Sequence, residues 1–311
     1  MEIYLAKTQG FCAGVSFAID IVDQALEKYG PPLYVYHEIV HNTYVVNEFR
    51  KKGVIFVEDV NEVPVGSRII FSAHGVPPSV VEDTRDRQLR FVDATCPLVT
   101  KVHNEASKFS SKQYETVLIG HRGHQELKGT AGYVDPQYLH IVEDEAEIDN
   151  LQIGSDAPIA VVTQTTLSVD DTTQMINKLK EKFPQLKSPP RSDLCYATQN
   201  RQDAVKDLAS ICDVIIICGS PNSSNSNRLR ETGEKAGCES YIIDDADELD
   251  FGVLKGKKKV GISSGASVPP VIVDELIRRI QAHFPDTKVH TFENPEKNIV
   301  FALPEIENAL K

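Results

Sequence analysis

Short apolar runs alternate with stretches of helical periodicity along the whole chain. Ile3–Ala6, Leu33–Tyr36, Val54–Val57, Ile69–Phe71, Val117–Ile119, Ile159–Val162, Val214–Cys218 and Val260–Ile262 are continuous apolar runs rather than apolar–polar alternations. Such runs predict parallel strands covered on both faces by helices. Val15, Ala18, Ile19, Val22, Ala25, Leu26 and Tyr29 fall on one helical face, and Gly30-Pro31-Pro32 ends that helix. Leu98, Val99, Val102, Ala106 and Phe109 repeat the pattern; Ala204, Val205, Leu208, Ala209 and Ile211 repeat it more weakly, and a last helix is predicted over Val271–His283.

The pattern recurs in three units. Each opens with a cysteine before a predicted helix: Cys12, Cys96 and Cys195. An apolar run ending in polar residues follows at His41-Asn42, at His121 with His124-Gln-Glu126, and at Asn222-Ser-Ser-Asn225. A second such run ends at Ser72-Ala-His74-Gly75, at Thr163-Gln-Thr-Thr166 and at Ser264-Gly-Ala-Ser267. Self-similarity in fixed order marks symmetric units. The expected architecture is therefore α/β, with three pseudo-symmetric small lobes of mostly parallel sheet around a central cavity. Their expected bounds are 1–95, 96–194 and 195–285, with a C-terminal tail over 286–311 clamping the lobes. The boundary before Cys195 is the Pro-rich stretch Pro184–Asp193, where the expected strand is missing; in the tail, Val289–Phe292 and Ile299–Ala302 could pair as strands.

Composition narrows the partners. The net charge of −12 over 311 residues argues against nucleic acid, whose phosphates need a basic face. A small anion held by helix N-termini and neutral donors stays open. The basic runs Arg50-Lys51-Lys52 and Lys257-Lys258-Lys259 read as solvated ends of elements. No stretch approaches the ~20 apolar residues of a membrane span, and Met1–Lys7 reads as a strand rather than a signal peptide. Six cysteines in a chain of this length fit metal ligation or burial in a reducing cytosol better than a disulfide framework. A cytoplasmic monomer is expected.

In open α/β sheets, ligands sit outside the carboxyl ends of the strands, where helix N-termini point. Every landmark above is such an end. Cys212 and Cys218 flank or occupy an apolar strand, Cys238 lies near a turn, and all three read as buried, inert thiols. Cys12, Cys96 and Cys195 stand at helix starts, where the dipole stabilises a thiolate. Zinc usually takes four ligands, or three plus water, often from close C-x-x-C pairs that are missing here. An iron–sulfur cluster can be gripped by distant cysteines, and three of them leave one iron open to a substrate oxygen. Hydroxyl, amide and imidazole donors at His41, His74, Ser223, Ser224, Asn225 and Ser267 suit an enclosed diphosphate. Plain N-capping is the alternative for the serines and the asparagine; for the histidines it is a satisfied structural role. Glu126 is the only carboxylate of the set and, beside His124, suits general acid work. Thr165 and Thr166 can bond a substrate hydroxyl or cap a helix.

The ordered motifs Gly-Phe-Cys12-Ala-Gly-Val, Val-His41-Asn, Ser-Ala-His74-Gly-Val, Asp-Ala-Thr-Cys96-Pro-Leu-Val and Gly-His-Arg-Gly-His124-Gln-Glu126 continue with Thr-Gln-Thr165-Thr-Leu-Ser and Cys195-Tyr-Ala-Thr-Gln-Asn-Arg. Asn-Ser223-Ser224-Asn225-Ser-Asn-Arg and Gly-Ala-Ser267 complete them. With these motifs the chain resembles the LytB family, the 4-hydroxy-3-methylbut-2-enyl diphosphate reductases, over nearly its whole length. One departure is Gln125, where the family usually has Pro.

The resemblance implies reductive removal of an allylic hydroxyl as water, giving isopentenyl and dimethylallyl diphosphate, the last step of the non-mevalonate isoprenoid pathway. It implies one 4Fe–4S cluster on Cys12, Cys96 and Cys195 with one open iron. It further implies that Glu126, assisted by Thr165 and His124, supplies the proton, and that His41, His74, Ser223, Ser224, Asn225 and Ser267 hold the diphosphate. The implied electron donor is flavodoxin or ferredoxin. The competing readings are a zinc hydrolase with a three-cysteine site and a non-catalytic iron–sulfur sensor; the enclosed donor set and Glu126 speak against the sensor.

Overall fold

The computed structural model describes residues 1–189, 191–296, 298–306 and Leu310; Pro190, Lys297, 307–309 and Lys311 lie outside the described residues. In chain order the elements begin with β1 (Glu2–Leu5), α1 (Ala13–Tyr29), β2 (Leu33–Tyr36), α2 (Thr43–Lys51), β3 (Val54–Val57), β4 (Arg68–Phe71), α3 (Pro78–Asp86) and β5 (Arg90–Asp93). They continue with α4 (Pro97–Ser110), β6 (Glu115–Ile119), α5 (Gln125–Ala131), β7 (Leu139–Val142), α6 (Glu145–Asp149), β8 (Ile159–Thr163), α7 (Val169–Lys182) and α8 (Tyr196–Ala209). The last are β9 (Val214–Cys218), α9 (Ser224–Lys235), β10 (Glu239–Ile243), β11 (Lys259–Ser264), α10 (Pro270–His283) and β12 (Lys288–His290). Among the described residues no helix is long and apolar enough to cross a membrane.

The chain divides into two compact units, each assembled from separate stretches. The first comprises Met1–Ser16, Val40–Glu48 and Tyr196–Val300. Its sheet has the order β10-β9-β11-β1-β12, with every pairing parallel. Along β9, Val214, Ile216 and Cys218 pack with Ile272, Val273, Leu276 and Ile280 of α10. Ile215 and Ile217 point the other way, onto Ala204, Val205 and Leu208 of α8 and Leu229 of α9. Burial on both faces explains the continuous apolar run.

The second unit comprises Phe17–Ile39, Phe49–Cys195 and Phe301–Lys311. It holds two parallel sheets, β3-β2-β4-β5 and β7-β6-β8. β6 repeats the two-faced design. Val117 and Ile119 pack with Ile148, Met175 and Leu179, while Leu118 packs with Val102, Ala106 and Leu127. Arg68 Nε donates to the carbonyl of Leu310 at 2.9 Å, holding the end of the chain within this unit.

Several expectations are corrected. Ile3–Ala6, expected in the first sheet, forms β1 between β11 and β12. In the tail, β12 pairs with β1 alone, residues 299–302 form no strand, and part of 286–311 lies outside the described residues. The weak strand before Cys195 reduces to one parallel bridge from Lys187 to Ala160. Pro184 and Pro189 on either side have no N–H for a longer ladder. β5, β7 and β10, three of the edge strands, bury too few positions to leave an apolar run.

One polar cluster sits inside the first unit. Arg201 is fully buried, and its Nη1 donates to Ala197 O and Glu296 Oε2, both at 3.0 Å. Its Nη2 donates to Gly10 O at 2.8 Å, and Asn200 Nδ2 meets the second Glu296 oxygen at 2.8 Å. Removing one partner of a buried ion pair strands the other. Arg201→Leu should lower unfolding free energy by about 3–5 kcal/mol, read by chemical denaturation, because Glu296 loses its cationic partner and the Gly10 carbonyl its donor.

Candidate active site

In the second unit the candidate residues lie on loops leaving β4, β6 and β8. The loop after β6 ends at His124, which caps α5: its Nδ1 accepts the Glu126 N–H at 3.2 Å. Glu126 therefore enters on the first turn of a helix, with its side chain buried. Its Oε1 accepts the Thr165 N–H at 2.6 Å and its Oε2 accepts the Thr165 hydroxyl at 3.0 Å. Thr165 follows β8, and its carbonyl accepts the Cys195 N–H at 3.2 Å. One residue thus joins the buried carboxyl to the third cysteine. Gln164 holds the same loop: Nε2 donates to Thr166 Oγ1 at 2.8 Å and Oε1 accepts His121 N–H at 3.1 Å.

Burial pushes the Glu126 carboxyl up to about 7, against the lowering effect of its two bonds from Thr165. The charge of Asp193 adds to the rise.

The loop after β4 brings His74 to this place. The His74 and His124 rings meet edge to face, centroids 5.9 Å apart, and Ser72 Oγ lies 3.3 Å from His74 Nδ1. The carbonyl of Ala73 accepts the Cys96 N–H at 3.0 Å, setting the second cysteine beside His74. Cys96 is the N-cap of α4, with Pro97 as the first helical residue. Gly75 has φ +78°, and a Cβ there would meet His103 Cε1 at 2.5 Å. The buried His103 ring, kept neutral by burial with its ionisation lowered to about 4, stacks on Tyr133 beneath this loop. His103 thus serves the packing of this loop.

The first unit assembles the other candidates. Gly10 N donates to Ser264 Oγ at 2.8 Å and Cys12 N to Ala266 O at 3.0 Å, so the β11 loop holds the first cysteine. Ser267 Oγ donates to the carbonyl of His41 at 2.8 Å. Thr43 N donates to Ser220 Oγ at 3.1 Å, and the Ser220 hydroxyl donates to Asp244 Oδ1. Both bonds fix the segment that carries His41. Ser223 caps α9 by accepting the Ser226 N–H at 3.3 Å, and Ser224 is the first residue of that helix. Asn225 is buried, and neither atom of its amide has a hydrogen-bond partner among the described residues. An unmatched buried amide is costly, and the observation points to a polar ligand at the α9 N-terminus. Its Nδ2 lies 3.6 Å from where a Gly265 Cβ would stand, next to the Ser267 loop.

His74, His124, Glu126 and Thr165, with the backbones of Cys96 and Cys195, come together in one unit; His41, Ser223, Ser224, Asn225, Ser267 and Cys12 lie in the other. Gln164, Ser220, Asp244 and Asp193 escaped the sequence reading. Their signal is only that each follows or faces a strand end. None of the six cysteines is in a disulfide. Burial pushes Cys212 and Cys218 up to about 12, as inert thiols require.

The chain matches the family model for LytB protein over residues 3–281. It is 49% identical over 307 residues to the 4-hydroxy-3-methylbut-2-enyl diphosphate reductase of Acinetobacter baylyi, covering 98% of this chain and 97% of that one. The solved (E)-1-hydroxy-2-methyl-but-2-enyl-4-diphosphate reductase of Plasmodium falciparum superimposes with a TM-score of 0.95 at 36% identity, covering 99% of this chain and 96% of that one. A second solved (E)-4-hydroxy-3-methyl-but-2-enyl diphosphate reductase, described as the terminal enzyme of the non-mevalonate pathway, gives 0.64 at 32% identity, covering 90% and 99%.

The Glu126 carboxyl links stability to pH. Below about 4.5 it holds its proton in folded and unfolded chains alike; from there to about 7 only the folded chain does. Stability contributed by this group therefore falls as pH rises through that window and levels off above it. In the metal-free chain, Glu126→Gln should remove a pH-dependent loss on the order of 3 kcal/mol, seen by comparing denaturation curves of the two chains from pH 4.5 to 7.5. Asp193, also raised by burial to about 7, interacts with Glu126, so the comparison is repeated in an Asp193→Asn background to separate the two groups.

Proposed function

The chain belongs to the LytB protein family, and from that premise we propose that it is a 4-hydroxy-3-methylbut-2-enyl diphosphate reductase. The observation that carries the chemistry is the buried Glu126, held by both donors of Thr165 and raised to about 7. A carboxyl there is substantially protonated at neutral pH and can act as a general acid. In the reaction the allylic C–O bond breaks, two electrons and two protons enter, and the oxygen leaves as water. Glu126 delivers the proton to that oxygen. Thr165, whose hydroxyl already reaches Glu126, orients the carboxyl and the substrate hydroxyl. His124 fixes the first turn on which Glu126 stands.

The cysteines fit an iron–sulfur cluster by their chemistry. Each of Cys12, Cys96 and Cys195 is partly exposed, outside any disulfide, and immediately followed by a helix, whose N-terminus favours negative charge. The other three are raised by burial. Among the described residues no three or more His, Cys, Asp or Glu side chains form a ready cage for a single ion, so the assignment rests on the donor set. A bound 4Fe–4S cluster with three cysteine ligands would supply the electrons singly from an external donor.

The diphosphate falls to the neutral donors. Asn225, with its buried unmatched amide, Ser223 and Ser224 at the start of α9, and Ser267 with His41 offer hydrogen bonds and a helix dipole to an anion. His74 and His124 add imidazole donors. Asn225→Ala should raise KM at least about tenfold, the equivalent of one good charge-assisted hydrogen bond.

The test is an anaerobic absorption spectrum and a turnover assay with the diphosphate substrate and a chemical reductant. The reconstituted chain should be brown and consume substrate only when reduced. Glu126→Gln should cut turnover by at least about a hundredfold, within the range for a lost general acid, with the cluster spectrum unchanged. Cys96→Ser and Cys195→Ser should each lose cluster iron. Near-normal turnover in Glu126→Gln would remove it as the acid; full iron in Cys195→Ser would sink the three-cysteine ligation.

A further inference from the structure

Lys101 lies on α4, the helix that Cys96 opens. An ammonium has three N–H donors, and three oxygens surround this one: Arg191 O at 3.1 Å, Ser192 O at 3.1 Å and Asp193 Oδ1 at 3.0 Å. Glu105, one turn along the same helix, stands 3.6 Å from the ammonium and adds a second carboxylate. The Asp193 side chain is 1% exposed, so its charge needs a partner. Its second oxygen accepts the Thr163 N–H at 3.1 Å, at the end of β8. Two residues past Asp193, the Cys195 N–H bonds Thr165 O, and Thr165 in turn holds Glu126.

A single side chain therefore ties the helix of the second cysteine to the segment that delivers the third. We propose that Lys101 is a positioning residue for the Cys195–Thr165–Glu126 assembly, with Asp193 as the link that transmits its grip to the β8 loop. A compact ammonium suits three converging oxygens, whereas the planar fork of Arg does not. An ion pair with one partly exposed end ordinarily contributes little; here the ammonium also bonds two backbone carbonyls. The consequence for iron retention rests on the cluster reading above; the ordering of the loop does not.

The experiment compares wild-type, Lys101→Met and Lys101→Arg. In the metal-free chain, hydrogen exchange at the amides of Thr163 and residues 193–195 should be at least about tenfold faster in Lys101→Met, with core amides of β6 unchanged. In the reconstituted protein, iron loss to a chelator should be about tenfold faster, and kcat should fall about tenfold with KM within twofold, since displaced catalytic groups cost transition-state rather than substrate binding. Lys101→Arg should recover only part of each effect. Wild-type exchange at Thr163 and 193–195 in Lys101→Met overturns the proposal whatever the chain binds. Accelerated exchange in a chain whose wild-type form takes up no iron supports the brace and overturns the cluster reading instead. If Lys101→Met does not fold, Asp193→Asn makes the same comparison, because it keeps an acceptor for Thr163 but removes the anion that holds the ammonium.

Discussion

Parallel pairing is the constraint from which the rest of this structure follows. A parallel strand must be reached by a crossover, and the crossover covers the sheet with helices on both faces. The strands then have no polar face, so side chains such as Ile215 and Ile216 are buried on opposite sides of one sheet. Polar chemistry is left to the strand ends. His74 follows β4, His124 follows β6, Thr165 follows β8, Ser223 follows β9 and Ser267 follows β11. Helix N-termini begin at the same places, so the donors and the dipoles are aimed together.

The site is built against a desolvation cost. Glu126 lies at the buried start of α5 and would be an isolated charge without Thr165. Two bonds from one residue hold its geometry but do not offset burial, and the carboxyl keeps its proton near neutrality. That balance makes it useful as an acid. Asn225 shows the same logic with the opposite outcome, since its buried amide has no hydrogen-bond partner among the described residues. Arg201 and Glu296 satisfy each other, and Arg201 also steadies the loop that leads to Cys12.

Strands such as β2, β6, β8 and β9 were legible because their apolar runs are unbroken. β5, β7 and β10 were not, since strands such as Arg90–Asp93 or Glu239–Ile243 bury too few positions to leave a run. The candidate site was legible because each side chain sits at a landmark between a strand and a helix. Its supports were not. Gln164, Ser220, Asp193 and Lys101 reach partners far away in sequence, as Lys101 reaches Arg191, and no spacing announces such a contact.

By itself the sequence determined the class of the fold, the three cysteines at helix starts and the donors at the strand ends, because those depend on local periodicity and on which residue follows a strand. Only the tertiary structure decided that β1 joins β11 and β12, that residues 40–48 belong with the C-terminal sheet, and that Thr165 bridges Glu126 to Cys195. Strand partnership and long-range hydrogen bonds are chosen by the packing of distant segments. Two apolar strands of similar length carry nothing in their own residues that says which one pairs with which.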